Sequence, residues 1–383
     1  MIQSHDLFGL ELSHSSGFEL GPSDTHSTHD MTHNSGDSLL QALHQSQNSL
    51  QALHQSQNSL GQEYLINDSG QVAPVVGHSS SSGHTTSTIT QTYAAPAPTV
   101  VGTAGGLQIK LIWDSSVSSA PRGFMQAIID AAHYYTSQFS NKEIININVG
   151  YGEIAGGQMS AGALGESESY GYLTNFPTVA NALAKDGFTF AATNEPTQSQ
   201  FFVTSAEAKT LGLVNASATA LDGYIGFGTL SGTGDSWNLM ATTTGHNTGT
   251  ASNQFDLQSI ALHEISEVLG RLGMEGASIN GNATYTPLDA FNFASPGTLA
   301  LSPSSGYFST NNGTTNLGLF NNSASNGGDI ADWASYNWPT QANTQGLPTG
   351  PTWRTHLLPS AIRATTEIFR RATSRRWLRL AIL

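Results

Sequence analysis

Cysteine is absent from all 383 residues. That excludes disulfide bonds and thiolate metal ligands, so any metal must be held by His, Asp, Glu or water. Charge is also scarce: Asp, Glu, Lys and Arg make up 10% of the chain, with 13 basic residues against 27 acidic ones and a net charge of −14. A chain this acidic lacks the positive surface that phosphate backbones require, and no nucleic-acid partner is expected. No apolar run is long enough to span a bilayer, and Met1 to Leu20 has neither the basic start nor the apolar stretch of a signal peptide. The abundance of Gly, Ser, Thr and Asn suits a secreted or cell-surface protein, whose export would then need a route without such a peptide.

The first hundred residues are short of aliphatic clusters. They hold nine of the 13 histidines and an identical tandem repeat, Gln41 to Leu50 reappearing as Gln51 to Leu60. Two copies cannot bury a continuous face, so residues 1–100 read as a disordered, low-complexity leader. His26, His29, His33, His44 and His54 form a solvated polar tract in which weak metal binding is the lesser role. Ser79 to Gly83 and Ala95-Pro96-Ala97-Pro98 read as linker.

Order is expected from about Gly106. Leu107 to Trp113 alternates as a strand does, Phe124 to Phe139 carries apolar residues at helical spacing, and Ile144 to Val149 reads as a second strand. Asp222 to Gly228 is another strand, shortly before the segment that carries chemistry. In that segment, Ala261 to Arg271, His263 is followed by Glu264 and, four residues on, by Glu267. Asp256 can cap a helix here, Leu257, Ile260, Ala261, Ile265, Val268 and Leu269 give it an apolar side, and Gly270 and Gly273 offer stops. On a helix, residues four apart lie on one face, so His263 and Glu267 can converge on one ion. The pattern is H-E-x-x-H with its second histidine replaced by glutamate, itself an ordinary zinc ligand. The general base that takes a proton from the activated water is kept as Glu264.

The run His263-Glu264-Ile265-Ser266-Glu267-Val268-Leu269-Gly270-Arg271 resembles the signature of a family of predicted bacterial metalloproteases related to the zincins. Ile145 to Glu153, Gly162 to Ser167, Tyr285 to Phe291, Tyr307-Phe308-Ser309 and Gly328 to Trp333 fit the same family, over about residues 100–340. The resemblance implies a secreted zinc-dependent endopeptidase acting on protein or peptide substrates. The expected fold is α+β, a zincin-like metallopeptidase domain over residues 101–345 with a twisted mixed sheet, a backing helix and a metal-binding helix, behind the leader. A monomer is expected. The competing function is a non-catalytic surface or adhesion protein in which the metal site is vestigial or structural.

A catalytic zinc usually takes three protein ligands, which leaves one to find beside His263 and Glu267. The extended histidine motif of the metzincins would place it at residue 273, which is Gly273. Asp289 is the first choice, because it lies in a shared motif after a Tyr-Thr-Pro turn; a turn or capping carboxylate is its competing role. Glu275, His246, Asp329 and Asp332 are the rivals. Tyr285 is a candidate oxyanion donor, and Arg271 a partner for a carboxylate behind the metal. The Asn- and Gly-rich stretch from Ser302 to Trp338 reads first as a loop closed by Trp333 and Tyr336; calcium is the second cofactor weighed, as a structural ion on Asp329 and Asp332.

Composition changes abruptly at the end. From Arg354 onward the chain carries seven of the 13 basic residues and one acid, Glu367. The atypical tail, residues 346–383, could form a basic amphipathic helix from Ala361 to Leu383. Its departure from the family pattern implies instead a changed gene end, with family elements beyond Trp338 missing.

Overall fold

A computed structural model describes residues 62–67, 71–75, 94–159, 163–185, 187–188, 199–239, 253–302, 306–320 and 330–332. The described elements all belong to one compact unit, residues 55–383. Those that matter here are strands β1 (Glu63–Asn67), β2 (Val72–Pro74), β3 (Thr99–Val101) and β4 (Gln108–Trp113), helix α1 (Phe124–Gln138), strands β5 (Ile144–Tyr151) and β6 (Gly165–Thr174), and helix α2 (Phe176–Lys185). After them come β7 (Ser199–Thr204), α3 (Ser205–Thr210), β8 (Gly223–Phe227), α4 (Leu257–Val268), β9 (Ala277–Ile279) and β10 (Asn282–Tyr285).

Alternation in β4 buries Ile109, Leu111 and Trp113 while Gln108, Lys110 and Ile112 are half-buried on the other face. β4 pairs in parallel with β5, and β5 with β8, an arrangement that needs a crossover; α1 supplies the first one. The other pairings around β6 are antiparallel, so the ten-stranded sheet is mixed and the fold is α+β. Helices α1 and α4 bury their apolar sides in one cluster: Ala127, Ile128, Ala131 and Tyr135 meet Ala261, Leu262, Ile265 and Val268 over Ile109, Ile147, Val149 and Ile225. The buried Tyr135 hydroxyl donates to the Leu262 carbonyl, tying the two helices together. A second cluster, with Phe201, Tyr285, Leu288, Phe291 and Phe308, packs behind the segment that follows α4.

Strand β6 decides what the site can face. Glu168 and Ser169 pair with both β8 and β1, and Gly171 and Tyr172 with both β7 and β1. A strand has two flanks, so β7 and β8 follow one another along one flank and β1 takes the other. Gly165, Glu166 and Ser167 pair with β8 only, which leaves their second flank without a strand among the described residues.

The N-terminal boundary differs from the sequence reading. The segment expected to be leader contributes β1 and β2, and β3 precedes the expected start at Gly106. Tyr64 and Ile66 find backbone partners on β2 and β6 and an apolar pocket with Phe202, Leu272 and Met274, a gain that depends mostly on β6, β7 and the segment after α4, all distant in sequence. The repeat at 41–60 and the tail at 346–383 lie outside the described residues. No helix among the described residues is long and apolar enough to cross a membrane.

Candidate metal centre

The helix that carries the site begins as its sequence dictates. Asp256 is extended, and its carboxylate accepts from the Gln258 backbone N–H, one of the free donors of the first turn, and from the Ser259 hydroxyl. Gly270, at φ 119°, ends α4 with a left-handed residue; a Cβ there would lie 2.4 Å from the Glu207 side chain. Beneath α4 the strand β6 is built from small residues. A Cβ on Gly165 would lie 2.2 Å from Oε1 of Glu264, and the Ser167 hydroxyl donates to Oε2 of Glu267 at 2.7 Å. Both carboxylates of the motif therefore meet alternate positions of one strand, directly beside its unpaired flank.

His263, Glu267 and Asp332 come together. Their ligating atoms lie within 4.8 Å of one another, with His263 Nε2 at 3.0 Å from Glu267 Oε1 and 3.4 Å from Asp332 Oδ1. The His263 side chain keeps 28% of its surface exposed while Glu267 keeps 1%, so one donor is open to solvent and the other is deep. One imidazole and two carboxylates is a donor set that zinc accepts, and the three residues fit such an ion.

A cation already belongs to the group. Arg271 donates through Nη2 to Glu267 Oε1 at 2.8 Å and through Nη1 to Asp332 Oδ1 at 2.5 Å, while its Nε donates to the Ser266 hydroxyl at 2.7 Å. The Ser266 hydroxyl in turn donates to the His263 carbonyl. The conspicuous Ser and Arg of the helix motif thus hold the two carboxylates in place from behind. Burial alone would raise the Glu267 carboxyl. The charges of His263 and Arg271 and the hydrogen bonds from His263 and Ser167 outweigh it and hold the group well below the usual carboxylate range. Burial and Arg271 push the His263 imidazole down, but Asp332 and Glu267 prevail and raise it.

Asp289 is not part of this group. Its Oδ2 accepts from the backbone N–H of Met274 at 3.0 Å and of Thr286 at 2.7 Å, and it lies against Glu275. The expectation that Asp289 would join His263 and Glu267 is therefore corrected, and its rival Asp332 stands there instead: the Tyr-Thr-Pro turn does return the chain toward α4, but it spends the Asp289 carboxylate on closing that turn. Glu275 joins Asp289 and not the His263 group. Tyr285 is buried at 7% exposure, packed at 6.0 Å from the Phe201 ring in the second cluster. His246 and Asp329 lie outside the described residues, and with Asp329 the calcium site expected there. Sequence reasoning did not single out Ser167 or Ser266; the only available signal was their place inside the two shared motifs.

Comparison of the chain with protein-family models, with curated proteins and with solved structures returns no match.

Proposed function

We propose that the chain is a zinc-dependent endopeptidase with a zincin-like arrangement of sheet, backing helix and metal helix. The observation that carries this reading is the meeting of His263, Glu267 and Asp332, with Glu264 next to them on α4, under the unpaired flank of β6. His263, Glu267 and Asp332 would hold the ion. Zinc would supply polarisation of the scissile carbonyl and a more acidic water.

The chain's own residues do the rest. The flank of Gly165 to Ser167 that no described strand covers can align an extended peptide by strand addition. Glu264, buried beside Gly165, takes the proton from the attacking water and returns it to the leaving amine. Arg271 and Ser167 keep Glu267 ionised and oriented. Protein or peptide substrates and a secreted or surface location follow from the same reading.

One observation favours the second reading, a non-catalytic surface protein. Arg271 spans both carboxylates and the His263 imidazole, when protonated, adds a second positive charge, so the cluster is charge-compensated without a metal. Incubation of purified protein with a denatured protein substrate separates the two. The peptidase reading expects cleavage that stops on chelation and returns with zinc, together with one zinc per chain; intact substrate under all conditions would sink it.

A further inference from the structure

Twelve residues after His263 the chain enters a second acidic cluster that the peptidase reading does not use. Glu275 and Asp289 are 3% and 4% exposed, and their carboxyl groups lie within hydrogen-bonding reach of each other. Among the described residues no Lys, Arg or His forms an ion pair with either. Oδ2 of Asp289 accepts two backbone N–H groups, and Oε1 of Glu275 accepts the Asn292 amide at 2.6 Å. Oε2 of Glu275 and Oδ1 of Asn292 are buried with no hydrogen-bond partner.

Two carboxyl groups pressed together out of water cannot both stay charged without a counter-charge. Orphaned buried oxygens likewise call for an ion, a water or a proton. Asn292 is the independent pointer. Its carboxamide touches the cluster through the nitrogen, which faces Glu275, while the unsatisfied oxygen lies against Gly306; a half-turn of the amide exchanges them and adds a third oxygen to the two carboxylates. Every donor is then oxygen, the set that hard cations prefer and zinc does not need.

We propose that Glu275, Asp289 and Asn292 form a second cation site, for calcium, distinct from the His263 group and independent of whether that group is catalytic. The ion would join the segment after α4 to the turn at Asp289–Phe291. It would also brace the loop that carries Asp332: Gly273 lies between Oε2 of Glu275 and the pair Ile330 and Ala331, a Cβ on it falling 3.2 Å from the carboxylate and 3.1 Å from the Ile330 side chain.

The test is thermal unfolding of the full chain, stripped of metal and then titrated with calcium chloride. Calcium at a hundredfold excess over its Kd should raise Tm by about 5–10 °C, with one calcium bound per chain. Glu275→Gln and Asp289→Asn should abolish the shift, and Asp332→Asn should keep it. Terbium luminescence excited through tyrosine, displaced by calcium and lost in Glu275→Gln, reads the site directly if Asp289→Asn fails to fold. No calcium shift in the native chain, combined with a higher metal-free Tm in Glu275→Gln, would mean that the pair only shares a proton and overturns the proposal. A calcium shift lost in Asp332→Asn would overturn it too, by moving the ion to the other cluster.

Discussion

On either side of the segment that follows α4, two groups of acids are balanced in opposite ways. At Glu267 and Asp332 the protein brings its own cations, Arg271 spanning both oxygens and His263 at 3.0 and 3.4 Å, and one side stays open to solvent. At Glu275 and Asp289 it brings none among the described residues, and the pair is closed from water. The first group is pre-organised for a ligand and stable without one; the second carries an electrostatic cost that something from solution must relieve. This difference teaches that acidic content near a motif does not single out the proposed zinc site. The placement of the basic side chains does.

The sharpest break of the comparison is in activity. Glu264→Gln should lower peptide hydrolysis by about 100-fold or more while zinc content stays at one per chain, because a base is lost and no ligand. Full activity in this variant would refute the mechanism. Next in size is Arg271→Met, which leaves Glu267 and Asp332 facing each other and should cost about 3–5 kcal/mol in urea unfolding of metal-free protein.

Zinc affinity, followed by competition with a chromogenic chelator, then separates the two groups. Asp332→Ala should weaken binding by about tenfold or more, whereas Asp289→Asn should leave it unchanged. An equal loss in both would return Asp289 to the zinc site.

The smallest effect is the pH dependence of the chelated protein, and its sign is opposite in the two groups. Burial and then the Glu275 charge raise the Asp289 carboxyl well above 3.8, against the pull of the Thr286 and Met274 N–H groups. Its favourable contribution is complete below the unfolded value and is lost as pH rises through the higher folded one. Glu267 is lowered from 4.5, so its contribution is complete above that value and is lost as pH falls below it. Asp289→Asn, or added calcium, should therefore flatten the loss on the alkaline side and leave the acid side as it was. Thermal unfolding across pH checks both arms.

Much of the frame was legible in sequence. The strands over Gln108–Trp113, Ile144–Tyr151 and Gly223–Phe227, the helix Phe124–Gln138 and the Asp256 cap of α4 all have local causes: period, propensity and a side-chain oxygen at the right place. Strand β6 was harder. Its buried face is Ser167, Ser169 and Gly171, so the period-two signal exists but is not written in apolar residues, because a helix with two carboxylates packs against it. β1 has a local partner only in the three residues of β2, and the strand that fixes it in the sheet, β6, is a hundred residues away.

By itself the sequence determined which residue types were available and how four of them must sit: without cysteine only His, Asp and Glu remain as metal ligands, and helical spacing stacks His263 on Glu267 and sets Glu264 and Arg271 beside them. Only the tertiary structure decided between Asp332 and Asp289 as the third acid. Helix geometry fixes neighbours three and four residues apart, whereas the position of a residue 65 places beyond Glu267 depends on the closure of every intervening turn. Asp289 was spent on one of those turns, and Arg271 drew Asp332 to the other side.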